Sequence, residues 1–284
     1  MLEPDGTERD RNRLAAALRE LRRAAGLSGE RLAARVAMSQ SKISRIESGR
    51  TVPTVVDVER ILKALAVPPE VGQEILSLAR AANVEYVSWR SYARMGIWRK
   101  QAEIKALTEA SSTVRQFLPA IPSGLLQTRE YARAVLTPGV RGRPARDVER
   151  AVRARLDSQE ALNDQKRRFY FLLTEQALRL QRAAAHVMVD QLRHMAHIST
   201  RPNIELAILP NGVLVNETPL NVFVVYDDRL VIVELFSGEI ALRDRRDVDH
   251  HRNVFDHFRS RAVVGEQARD LLESSAERFR RAGG

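Results

Sequence analysis

Apolar residues in the first eighty positions recur every three or four places. Leu14, Leu18 and Leu21 share one face of a helix that stops at Gly26, a residue that enters a left-handed helix end without steric cost. Ser28 can cap a second helix carrying Leu32 and Val36, and Ser39 a third carrying Ile43 and Ile46 and ending at Gly49. Thr54 with Asp57 three residues on has the spacing of a capping box and opens a fourth helix, with Ile61, Leu62 and Leu65 on its apolar face. Pro68 and Pro69 open a fifth, through Ile75, Leu76 and Leu78. Residues 1–83 therefore read as five short helices.

The third helix has an unusual outer face. At ~100° per residue, Ile43 and Ile46 define the core side. Ser41 and Ser48 point away from it, flanked by Ser44 and Arg45, while Gln40 and Lys42 sit at the exposed N-terminal end and Glu47 falls at the core edge. A merely solvated face mixes Glu with Lys for solubility and i,i+4 pairing, whereas this one is small, polar and basic. Serines permit close approach to a groove, Gln can pair with adenine, and Arg or Lys with guanine. The second and third helices, joined by a tight turn at 37–39, make a helix-turn-helix.

Beyond residue 83 the pattern changes twice. Trp89, Tyr92 and Trp98 are interleaved with Arg90, Arg94, Arg99 and Lys100. Aromatics among cations can stack on bases, but more often form a packing edge. A helix is expected from Ala102 to Gln116, then a Pro-Ser-Gly turn into an amphipathic helix ending at residue 136. A Pro/Gly-rich loop at 137–146 and a polar helix at 147–165 follow. The segments 168–175, 203–210, 221–228 and 229–236 then read as strands, the last two joined as a hairpin at Asp227–Asp228, with helices around 176–199 and 247–281. The expected fold is mainly α with a smaller α+β part. A five-helix helix-turn-helix domain (1–83) is followed by a helical connector (84–120) and an α+β domain (121–284) with a small, largely antiparallel sheet.

Charge sharpens this division. Hydrophobic residues make up 44% of the 284 and charged ones 29%, a globular composition, with a net charge of +10. Residues 1–83 carry 14 Lys and Arg against 11 Asp and Glu, residues 84–168 carry 17 against 9, and residues 169–284 carry 15 against 16. The last third thus lacks the electrostatic footprint of a nucleic-acid surface. From Arg129 to Arg155 there are eight arginines and three acids, a basic stretch suited to an acidic partner or to phosphates. Cysteine is absent, which excludes disulfides and thiolate metal sites. The N-terminus has no apolar signal region, and no run approaches the ~20 apolar residues of a membrane span, so a cytoplasmic protein with no membrane partner is expected.

The stretch GLSGERLAARVAMSQSKISRIESGRTVPT (26–54) resembles the XRE family of helix-turn-helix regulators, over about residues 10–67. That resemblance implies an ion pair between a helix-one arginine and the glutamate ending the recognition helix, here Arg22 and Glu47. It also departs from the family: Gly29 stands where many members carry a phosphate-touching Gln or Glu. Farther on, GLLQTREYARAVL, LLTEQALRL, MVDQLRHMA, PNIELAILP and IVELFSGEIALRD, over about 85–275, resemble the domain attached to such helix-turn-helices in the WhiJ-like, antitoxin-like regulators of Streptomyces and other actinobacteria. PSG at 122–124 replaces the PG of many members. This resemblance implies cytoplasmic transcriptional regulators, often encoded beside a small acidic partner protein.

Enzymatic chemistry finds little support in the sequence. His194 and His197, and His250, His251 and His257, lack the spacing and third ligand of a zinc site. Glu175 and Glu234, each at a strand end, read as capping or arginine-pairing acids rather than a catalytic pair. No Walker or dinucleotide glycine motif occurs, so neither a catalytic residue, a metal nor a cofactor is expected. The expectation is a homodimeric, sequence-specific regulator of double-stranded DNA, modulated through its C-terminal domain by a small acidic protein. Gln40, Lys42 and Arg45 are expected at base edges or adjacent phosphates, and Ser28, Ser39, Ser41, Ser44 and Arg50 along the phosphate rim. Two other readings stand beside it: a repressor with a small-molecule effector pocket in the C-terminal domain, and a non-specific nucleoid-type binder.

Overall fold

The computed structural model describes residues 6–96, 98–139 and 147–282, apart from the side chains of 6–9 and 93–95. It divides into two compact units, one of Met1–Tyr86 with Ile240–Asp247, the other of Val87–Glu239 with Val248–Gly284. Residues 140–146 of the expected Pro/Gly-rich loop lie outside the described residues.

The first unit is built on α1 (Gly6–Ala24), α2 (Gly29–Arg35), α3 (Gln40–Glu47), α4 (Val55–Ala64) and α5 (Pro69–Ala82). Their apolar faces close on one core that includes Leu14, Leu18, Leu32, Ile43, Ile46, Val58 and Ile61. Burying each such side chain contributes about 1.5–3 kcal/mol, so packing rather than helix propensity holds elements as short as α2 and α3. Thr54 and Asp57 form the full capping box of α4. Residues 240–247 join this unit from far along the chain: Arg246 bonds Glu59 of α4 at 2.9 Å and Arg243 bonds Glu85 at 3.1 Å.

The remaining helices, in the second unit except for the start of α12, are α6 (Trp89–Met95), α7 (Trp98–Glu109), α8 (Arg129–Leu136), α9 (Val148–Ser158), α10 (Glu175–Arg179), α11 (Ala185–Ile198), α12 (Arg245–Arg259) and α13 (Gly265–Ala282). The strands are β1 (Val84–Ser88), β2 (Thr113–Leu118), β3 (Arg168–Thr174), β4 (Ile204–Leu209), β5 (Phe223–Tyr226), β6 (Leu230–Glu234), β7 (Gly238–Leu242) and β8 (Val263–Val264). They form one sheet in the order β1-β7-β6-β5-β2-β3-β4-β8. The small, largely antiparallel sheet expected from the sequence is therefore wrong. The sheet has eight strands and is mixed, with β2, β3 and β4 parallel and β5, β6 and β8 added antiparallel to their neighbours.

Parallel neighbours need long crossovers, and the segments between β2 and β3 and between β3 and β4 supply them with α8–α9 and α10–α11. The expected helix at 102–116 stops at Glu109, and its last residues enter β2, which lies inside the sheet. The stretch 84–120 thus holds two strands besides its two helices.

Strand alternation sorts the side chains of β2, β5 and β6. Gln116, Val224 and Ile232 stand side by side across the three strands on one face. On the other, Phe117 stacks on Phe258 of α12 at 4.9 Å and lies 5.3 Å from Phe223. The β5–β6 turn is locked by Asp227, whose Oδ1 accepts bonds from Ser112 N–H, Ser112 O–H and Thr113 N–H, each at 2.9 Å.

Candidate nucleic-acid interface

The α2–α3 corner is set by backbone geometry. Val36 ends α2, and Ala37 takes φ +52° so that Met38 N–H reaches back to the Ala33 carbonyl at 3.0 Å. Ser28 caps α2 by accepting from Arg31 N–H at 3.2 Å; Ser39 caps α3 by accepting from Lys42 N–H at 3.2 Å and shares a 3.1 Å bond with the Ser41 hydroxyl. Both caps are exposed. At the far end of α3, Gly49 has φ +73°, and a Cβ there would lie 3.1 Å from Asn12 Oδ1 of α1. Glycine is favoured there by the conformation, and a side chain would also press on Asn12.

Two ion pairs hold α3 in place. Arg22 of α1 grips Glu47 with both prongs, Nε to Oε1 at 2.6 Å and Nη2 to Oε2 at 2.7 Å, and its Nη1 donates to the Leu27 carbonyl at 2.7 Å. The side chains are 14% and 11% exposed, and the Glu47 bond raises the already high pKa of Arg22. At the other end, Lys42 Nζ sits 2.8 Å from Oδ2 of Asp57, the capping-box carboxylate of α4. Lys42 was expected at the exposed N-terminal end of the helix, reaching base edges or adjacent phosphates. It is half-buried and turned toward α4, because the α3–α4 packing brings a buried carboxylate within reach of its long stem. The capping box signalled Asp57, but nothing local to α3 disclosed it as the lysine's partner.

Gln40, Ser41, Ser44 and Arg45 remain on the exposed face of α3, with Arg50 exposed in the loop beyond. Among the described residues, the side chains of Gln40, Ser44, Arg45 and Arg50 have no hydrogen bond or ion pair. The face that results carries donors and acceptors of unlike reach, is basic, and has no acid on it.

The other sequence candidates fall elsewhere. Trp89 donates from Nε1 to the Leu235 carbonyl at 2.9 Å, Tyr92 is buried, and Arg150 lies 4.0 Å over the ring of Trp98, so these aromatics are engaged within the second unit. Of the arginines between 129 and 155, Arg133 pairs with Glu149 at 2.6 Å and Arg155 donates to Gln127 at 2.7 Å. Arg141, Arg143 and Arg146 lie outside the described residues. Glu175 accepts the Asn211 N–H and pairs with Arg179; the Asn211 bond is the chief cause that holds its carboxyl below the usual range, against the opposing effect of burial. Among the described residues, no group of three or more His, Asp or Glu is placed to hold a metal, and no helix is long and apolar enough to cross a membrane.

Comparison with known proteins places these features. No curated protein matches the chain. Among solved structures it is similar to NucT from Helicobacter pylori, with 8% identity over 63% of this chain and 97% of that one and a TM-score of 0.38. A phospholipase D family member, Nuc from Salmonella typhimurium, shows 7% identity over 58% and 90%, with a TM-score of 0.34. TrmBL2, an archaeal chromatin protein, shows 14% identity over 73% and 66%, with a TM-score of 0.33. Likenesses this weak carry no argument about fold or activity. Family models are more informative. One described as a helix-turn-helix domain matches residues 13–74, the span of the α2–α3 corner and its supporting helices. Another, described as a domain of unknown function (DUF5753), matches residues 101–274, and with more than half of its length covered, the chain belongs to the DUF5753 family and carries a helix-turn-helix domain at its N-terminal end.

Proposed function

We propose that the protein is a sequence-specific, double-stranded-DNA-binding transcriptional regulator of the XRE type, acting in the cytoplasm as a homodimer and without enzymatic activity. One observation carries this reading. The exposed, unpartnered Gln40, Ser44 and Arg45 stand on a short helix that Arg22–Glu47 and Lys42–Asp57 fix at its two ends. A side chain that reads a base edge pays less ordering entropy when its helix is already held. Gln40 and Arg45 have the geometry to pair with adenine and guanine in the major groove, while Ser28, Ser39, Ser41 and Arg50 meet phosphates. Lys42 serves chiefly to position α3.

Selecting bound duplexes from a random pool with the full chain tests the reading. A dimer enriches an inverted repeat whose half-sites lie about 10–10.5 base pairs apart, or a multiple of that. A pool that stays random, with equal affinity for all duplexes, would replace this reading with a non-specific nucleoid binder.

The resemblance to WhiJ-like, antitoxin-like regulators extends the proposal to modulation by a small acidic protein encoded nearby. Its support is the exposed Arg129, Arg133, Arg150 and Arg153 in the most basic third of the chain. A gel shift on the selected site, with and without that neighbouring product, decides it. Unchanged DNA affinity contradicts modulation by that protein.

A further inference from the structure

The face of β2, β5 and β6 that carries Gln116, Val224 and Ile232 is not packed solid. It floors a cavity of about 170 Å³, roofed by α7, the 121–127 segment and Arg155 of α9. Large apolar side chains would ordinarily fill such a space, but here the lining is polar at several points. Gln116 is 5% exposed, and its amide has no partner among the described residues. Glu239 is 3% exposed; its Oε1 accepts from Lys100 Nζ at 2.5 Å and Tyr92 O–H at 2.8 Å, but Oε2 has no partner. Glu234 also lines the cavity, and its side chain makes no hydrogen bond or ion pair among the described residues.

A buried polar group without a partner costs about 1–3 kcal/mol, and a charged one more. Gln116 and Glu239, both buried at one void, indicate a space shaped for something that supplies the missing bonds. The pattern indicates what that is. The cations of the wall are already engaged, Lys100 with Glu239 and Arg155 with the side-chain oxygens of Gln101 and Gln127. Two carboxylates with unmet capacity and one amide remain, so the unmet demand is for donors, of which an ammonium supplies three. The Glu234 carboxyl pKa is raised, first by desolvation and further by Glu239, with Lys100 opposing. The residue is exposed at the end of β6, so its carboxyl is open to an entering molecule.

A second chamber of about 470 Å³ adjoins the first and shares Lys100, Arg155 and Glu234 with it. Its rim is apolar, with Trp89, Leu220 and Phe236; Phe236 is 98% exposed. The two chambers together suit a molecule with a donor-rich cationic end and an apolar body.

We propose that this cavity binds a small organic amine, its ammonium held in the inner chamber by Glu234 and Gln116 near Glu239 and its apolar body in the outer chamber against Phe236. Calorimetric titration of the full chain, without DNA, tests it with phenethylamine as the probe and 2-phenylethanol and phenylacetate as matched neutral and anionic controls. Phenethylamine should bind and phenylacetate should not, with 2-phenylethanol far weaker than the amine. Glu234→Gln should weaken the amine by about ten- to a hundredfold, the value of one charge-assisted bond, without lowering the melting temperature. Gln116→Leu should weaken it as well; if that variant misfolds, Glu234→Gln alone carries the test. Binding of the alcohol or the acetate as tight as that of the amine, no binding of any probe, or an unchanged affinity in Glu234→Gln would overturn the proposal.

Discussion

Ala37 and Ala66 both occupy the left-handed region, at φ +52° and +51°, where each ends a helix of the first unit. A Cβ in that conformation costs about 1 kcal/mol, and glycine relieves it. Ala37→Gly and Ala66→Gly should therefore each raise stability by up to ~1 kcal/mol, less the added freedom of the unfolded chain, seen as a higher midpoint in urea. A lowered midpoint would show that the methyl packs more than it strains. The Arg22–Glu47 pair makes the opposite case. It is two-pronged and mostly shielded, so Glu47→Ala should cost about 2–3 kcal/mol, between the ~1 of an exposed pair and the ~3–5 of a fully buried one. Lys42→Met should cost less, about 1 kcal/mol, since the lysine is over a third exposed. If Lys42 acts through Asp57 rather than on phosphate, the salt dependence of DNA binding keeps its slope in that variant; a slope lower by about one contact would make Lys42 a phosphate ligand.

At the scale of elements, the β5–β6 turn ties the sheet's central strands together through one carboxylate. Desolvation is the largest single influence on Asp227 and pushes its pKa up. The bonds from Thr113 and Ser112 and the nearby Arg229 together outweigh it and hold the carboxyl below its usual range. A folded-state pKa below the unfolded one means that this stabilisation is complete above the ordinary carboxylate range, near pH 4, and is lost as pH falls through the lower folded value. Asp227→Ala should lose about 2 kcal/mol at neutral pH and show less acid sensitivity. Asp227→Asn keeps the acceptor and tolerates φ +54°, so it should lose less at neutral pH while showing the same reduced acid sensitivity. Equal acid sensitivity in all three proteins would remove Asp227 from this role.

What could be read from the chain at this scale followed how local the cause was. Helices α2–α4 carry their own side-chain caps, α5 a proline at its start, and the five helices their apolar faces, while β3 to β6 are short runs of apolar, largely β-branched or aromatic residues, so both are legible. Strand β2 is not: Val114 continues the helical spacing of Ile104 and Leu107, and only Ala110–Ser111–Ser112 interrupt it. Its place between β3 and β5 comes from pairing with strands more than fifty residues away. The size and mixed character of the sheet follow from that pairing and were illegible for the same reason. The outer face of α3 was legible because one helix defines it. The turning of Lys42 to Asp57, and the polar cavity over β2, β5 and β6, arise only when distant elements pack.

For the molecule as a whole, the chain order conceals the composition of its units. The helix-turn-helix unit includes residues 240–247, brought in beside Glu59 and Glu85. A truncation after residue 83 would therefore remove Glu85 and Arg246 together with their bonds, and DNA binding is best measured on the full chain. The central claim is that the exposed face of α3 reads DNA. It is tested most directly by fluorescence anisotropy of the selected duplex with wild type, Gln40→Ala and Arg45→Ala, each shown to keep the wild-type melting temperature. We predict that each variant loses about 1–3 kcal/mol on the selected site and loses preference at one base position, while binding to random duplex falls by much less. Variants that bind the selected site as tightly as wild type, with the same base preferences, would contradict the account.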